Sequence, residues 1–100
     1  MSYLDDTANV IRGHAPADAL PDGGVDALFR LYAVLALAKG EDVTAEDVHN
    51  AWAAWMQEND ADHDAVRPFE ELDHAKQAED EPYVEAIRAA VRELSVTRAR

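Results

Sequence analysis

Between Val48 and Leu72 the chain reads VHNAWAAWMQENDADHDAVRPFEEL, and its chemically versatile residues concentrate there. Both tryptophans, Trp52 and Trp55, and two of the four histidines, His49 and His63, fall in this stretch. Asp60, Asp62 and Asp64 form an acidic loop, and Arg67-Pro68-Phe69 closes it. Three chemistries could use such a set: calcium ligation by carboxylates, zinc ligation by imidazoles, and stacking of a planar ligand on indole.

The calcium reading has the D-x-D-x-D opening at Asp60, Asp62 and Asp64, with Glu71 at the twelfth position. Calcium needs six to eight oxygens around a sharp turn, which is why glycine occupies position six of such loops. Here position six is Ala65, position eight is Arg67 and position nine is Pro68, so three loop-shaping positions depart from the pattern. Calcium therefore stays a minor alternative. For zinc, His49, His63 and His74 include no i, i+4 pair, and no HExxH occurs. His63 and His74 are expected on solvated surfaces, and His49 at the core boundary, hydrogen-bonding the loop.

No catalytic constellation appears, so the chain is read as a non-enzyme. The only serines, Ser2 and Ser95, lie near the ends, which removes a Ser-His-Asp arrangement. Carboxylates are plentiful, but none sits in an apolar run that would raise its pKa for acid–base work. Gly23-Gly24 could hold an anion at the following helix N-terminus, and equally well serves as a joint. Trp52 and Trp55, three apart, cannot both be central. Trp52 is assigned to the core; Trp55 is left to line a groove, with Tyr83 as a further stacking surface.

The elements that must position these residues are all helical. Helices are expected from about Tyr3 to Arg12, stopped by Gly13, and from Val25 to Lys39, ended by Gly40. A third runs from Ala45 to Glu58 behind a Thr44–Asp47 capping box. A fourth covers Phe69 to Glu79. The last starts near Pro82 with Asp80 or Glu81 as cap, and the tail from Ser95 is expected to fray. Ser2 with Asp5 has the capping-box spacing too, and Ala15 to Gly24 is a connector. Leu28, Phe29, Leu31, Tyr32, Val34, Leu35 and Leu37 surround the second helix, marking it as the central buried one. The predicted core is Leu4, Val10, Leu28, Phe29, Tyr32, Leu35, Val48, Trp52, Leu72, Ile87 and Val91. The fold class is all-α, a single compact domain of about five helices. Residues 1–14 form an N-terminal helix and 15–100 the helical domain proper, one globular unit over 1–95.

Composition agrees with a folded chain: 48% of residues are hydrophobic and there is no cysteine. Thiol catalysis, thiolate metal sites and disulfides are excluded. The N-terminus lacks the basic and apolar regions of a signal peptide, and no apolar run could span a bilayer. A cytoplasmic protein is expected. With 21 acidic residues and a net charge of −12, nucleic acid and anionic membranes are repelled.

Taken together, Val48-His49-Asn50-Ala51-Trp52-Ala53, His63, Val66-Arg67-Pro68-Phe69-Glu70-Glu71-Leu72 and Asp80 before a final helix resemble the ryanodine-receptor repeat domain. The similarity spans Asp47 to Leu94. The segment VTAEDVHNAWAAW also resembles small proteins of actinobacteria and their phages. The family's Gly-Trp and Tyr-Gly loop elements are missing, and its Arg-Asn or Asp-Arg pair at the last helix becomes Asp80-Glu81. The resemblance implies a pocket framed by His49, Trp52, Pro68, Phe69 and Leu72, and a nucleotide-derived signal as ligand.

Two functions are therefore expected in competition. One is a non-catalytic module, without cofactor, that binds a small anionic ligand between His49/Trp52 and Arg67-Pro68-Phe69. In it Arg67 is the local positive charge, His49 a hydrogen-bonding or pH-sensitive group, and Trp55 and Tyr83 the stacking rings. The other is an acidic adaptor or decoy that docks on a basic protein, with an exposed tryptophan as anchor.

Overall fold

The computed structural model of the chain describes residues 3–15, 25–60 and 62–98. Those residues are helical with no strand: α1 (Tyr3–His14), α2 (Val25–Lys39), α3 (Ala45–Asn59), α4 (His74–Ala78) and α5 (Glu81–Arg98). Four of these are long, and α4 is a single turn of 5 residues. The Ser2 cap and the Gly23-Gly24 joint lie outside the described residues.

α2 and α5 are the centre. Each touches the other three long helices, while α1 and α3 pack chiefly on that pair. At the end of α2, Gly40 adopts φ +60 and lets the chain turn into a short 3-10 segment, Gly40–Asp42. A side chain there would be strained in that left-handed region. Val43 follows, fully buried, and Arg88 of α5 holds the turn. Its Nε donates to the Glu41 carbonyl at 3.1 Å and its Nη2 to the Val43 carbonyl at 2.9 Å. Thr44 then opens α3 with both halves of the expected capping box.

The core is Leu28, Phe29 and Tyr32 of α2, Val48 and Trp55 of α3, Val84 and Ile87 of α5, and Ile11 of α1, with Val43 between. Ala33 and Ala36 on α2 and Ala86 and Ala90 on α5 are buried as well, and small residues let helices approach closely. Of the predicted core, Leu28, Phe29, Tyr32, Val48 and Ile87 are buried. Leu4, Val10, Leu35, Trp52 and Val91 are half-buried against it. Leu72, also half-buried, lies at the cavity described below.

Four expectations are corrected. Gly13 does not stop α1, which runs on to His14. The predicted fourth helix is broken: Pro68 leads into a 3-10 turn, Phe69–Glu71, and Leu72 is extended at φ −82, ψ 148. Asp73 restarts the chain as an N-cap, its side chain accepting from the Lys76 amide at 2.8 Å. A strong capping residue placed mid-helix competes for the backbone in this way. Third, α5 continues to Arg98 instead of fraying from Ser95. Fourth, α2 is not enclosed on every side, for Val34 is 48% exposed and Leu37 42%.

Candidate functional site

The loop after α3 returns to that helix through one buried side chain. His49, only 3% exposed, donates from Nε2 to the Arg67 carbonyl at 2.6 Å. The loop in between is wound by turns: His63 N–H donates to the Asp60 carbonyl at 3.1 Å and Val66 N–H to the His63 carbonyl at 3.0 Å. Phe69 lies against the His49 ring, centroids 6.0 Å apart, and Trp52 stacks at a tilt on its other neighbour position, 5.8 Å away. His63 meets Trp52 edge-on at 5.3 Å. His49 therefore ties the loop to α3, as the sequence suggested, and is buried more deeply than a boundary residue.

A cavity of about 520 Å³ lies between α3, the loop that follows it, α4 and the start of α5. Its walls include Trp52 and His49 from α3, Tyr32 from α2, and Tyr83 and Pro82 from α5. Tyr32 and Tyr83 lie 5.8 Å apart, and Phe29 meets Tyr32 edge-on at 5.4 Å behind them. Leu72 and Lys76 close one side, Glu79 and Asp80 another. A more open depression adjoins it, lined by Asp64, Arg67, Glu71 and Asp73, and Lys76 and Leu72 belong to both.

The predicted ligand-binding residues thus divide. His49, Trp52 and Tyr83 come together. Arg67, Pro68 and Phe69 do not line the cavity; Arg67 contributes its carbonyl to the His49 clamp and lines the neighbouring depression. Trp55, expected to line a groove, is 8% exposed, belongs to the core and is not among the residues lining the cavity. At 100° per residue the two tryptophans sit roughly 30° to either side of one line along α3, and Val48 falls between them. The loop covers the Trp52 side only thinly, whereas α2 and α5 cover the rest of the stripe.

Among the described residues, no three His, Asp or Glu side chains converge as a metal site would require. Asp60 is the C-cap of α3, Asp62 and Asp64 are exposed in turns, and Glu71 sits in the 3-10 segment. The calcium alternative has no geometry to support it.

Asp80 is the residue that sequence reasoning passed over. Burial is the main force on its carboxyl group and pushes its pKa up to about 6; His49 opposes this, while Glu79 and Glu81 add to it. Asp80 sits in no apolar run, so the raise comes from burial in the fold and not from a sequence pattern. A signal did exist: Asp80 stands directly before the first residue of α5, three residues ahead of Tyr83.

Stability should register this. The folded-state pKa of Asp80 lies above its ordinary value of 3.8, so the native state holds that proton more tightly than the unfolded chain. Its contribution is present below about pH 4 and is lost as pH rises to about 6. Asp80→Asn keeps the size of the side chain without its charge and should stabilise the fold at pH 7.5. The gain is about 1–2 kcal/mol once solvent screening is allowed for. Urea melts at a series of pH values should show that gain vanish near pH 4; a gain independent of pH would refute the assignment.

Fold and cavity together define a small all-α module with an aromatic-walled pocket, in which no three His, Asp or Glu side chains among the described residues could hold a metal ion. Residues 2–92 match the family model described as a domain of unknown function, DUF7701, and the chain belongs to that family. No curated protein and no solved structure matches it. No helix among the described residues is long and apolar enough to cross a membrane.

Proposed function

We propose that the protein is a non-catalytic binding module whose cavity takes a small planar ligand, with a nucleotide-derived signal as the favoured class. One observation carries the reading: a cavity of about 520 Å³ lined by the aromatic rings of Trp52, His49, Tyr32 and Tyr83. Sites for small molecules have this size and this mix of apolar wall with few polar groups. The resemblance to the ryanodine-receptor repeat supplies the nucleotide class, and is an argument by analogy. The shared Lys76 offers an anionic substituent a path out of the cavity toward Arg67.

Thermal melts with cyclic and linear nucleotides at millimolar concentration test it. A ligand present at 100 times its Kd adds about 2.7 kcal/mol, and each kcal/mol raises the Tm of a domain this size by about 4–8 °C. Trp52→Ala should remove the rise. A flat screen ends this reading.

A flat screen would favour the second one, an acidic adaptor or decoy of bacterial or phage origin that docks on a basic protein. What supports it is the open face of α2. With Trp55 buried, Val34 and Leu37 are the exposed apolar side chains that would take over as anchor.

A further inference from the structure

We propose that Asp80 reads a pair of adjacent N–H donors on the planar ligand, the H–N–C–N–H unit that guanine and guanidinium groups share. This rests on the reading of the cavity as a planar-ligand site and names the chemistry at one of its ends.

The first support is placement. Asp80 closes the N-terminal end of α5, where its carbonyl accepts the Val84 amide at 3.1 Å, and it lines the same cavity as Tyr83 and Trp52. An acceptor and two stacking rings are thus presented to one ligand. The second is satisfaction. Among the described residues no N–H or O–H group donates to the Asp80 carboxyl, although His49 lies close enough to influence it. A partly desolvated carboxylate with unfilled lone pairs gains most from a donor brought in by a ligand. The third is charge. Lys76 is the only lysine or arginine among the described lining residues, against Glu79 and Asp80, in a chain of net charge −12. Such a field favours a donor-rich or cationic edge over a carbonyl edge.

A carboxylate takes two parallel N–H bonds from one planar unit, which fixes the ligand's plane as well as its position. Trp52 and Tyr83 then supply the stacking surface for the ring or the guanidinium plane. Guanine offers both donors; hypoxanthine lacks the exocyclic amine and offers one. Adenine presents an acceptor beside its amine and fits worse.

Titration calorimetry on the full chain tests this with guanosine 5′-monophosphate, inosine 5′-monophosphate and methylguanidinium chloride. Wild type, Asp80→Asn and Glu58→Gln are compared. Guanosine monophosphate should bind at least tenfold more tightly than inosine monophosphate, because the site discriminates through a hydrogen bond to a charged group. The preference should vanish in Asp80→Asn and persist in Glu58→Gln, an exposed position away from the cavity lining. Methylguanidinium binding that depends on Asp80, without a response to guanosine monophosphate, upholds the donor pair and assigns it to a guanidinium-bearing occupant. Equal affinity for the two nucleotides, or a preference that survives Asp80→Asn, overturns the role of Asp80 and leaves the cavity reading intact. If neither these probes nor the nucleotide screen gives any binding, both fall together.

Discussion

Trp55→Ala should cost the fold about 3–5 kcal/mol, the range for removing a large aromatic side chain from a packed interior. Trp55 is 8% exposed and sits in the core with Val48, Phe29 and Ile87. Domains of this size have roughly 5–15 kcal/mol in total, so the variant should lie near the edge of folding. Trp52→Ala removes an equal volume from a half-buried position at the cavity rim and should cost clearly less. Urea denaturation of the two variants side by side settles the order. If Trp52→Ala proves the more damaging, or Trp55→Ala costs under about one kcal/mol, the assignment of the core along α3 is wrong.

The second large effect belongs to His49. Replacing it with alanine removes a buried ring and leaves the Arg67 carbonyl without its 2.6 Å donor. A void plus an unsatisfied carbonyl amounts to about 2–4 kcal/mol. The damage should also be local. Residues 62–72 lose their tie to α3, and the rings of Phe69 and Trp52 lose the one packed between them. Hydrogen exchange should accelerate at the Val66, Glu71 and Leu72 amides, all hydrogen-bonded within this segment, before it does in α2. Uniform acceleration over the whole chain would mean that His49 is a core residue like any other and clamps nothing.

Much of the frame was legible because its signals are local. Val25–Lys39 ends where Gly40 follows, and the capping box at Thr44 and Asp47 opens α3 as its spacing requires. What was not legible depends on which neighbour arrives from afar. Trp52 and Trp55 are equivalent on the α3 stripe until α2 and α5 cover one and a short loop the other. Asp80 looks like a solvated cap in sequence and becomes partly buried only in the folded chain. The predicted helix over Phe69–Glu79 failed for a local reason, since Asp73 was a capping residue in plain view. Ala33, Ala36, Ala86 and Ala90 went unmarked because alanine is as common on surfaces as in cores, yet they are what allows α2 and α5 to approach. Phe69, expected beside the pocket, lies against the His49 ring instead, while Tyr32 and Lys76, which no sequence signal joined to His49, line the cavity.

The separation of the two indoles has a spectroscopic consequence. Trp55 sits in an apolar interior and should emit at shorter wavelength, whereas Trp52 stands beside the His63 ring at the mouth of the cavity. The natural chain thus carries two unequal fluorophores, one reporting global folding and the other reporting the pocket. Emission recorded at the red and blue edges during a single titration would separate occupancy of the site from any change in the fold, with no label attached.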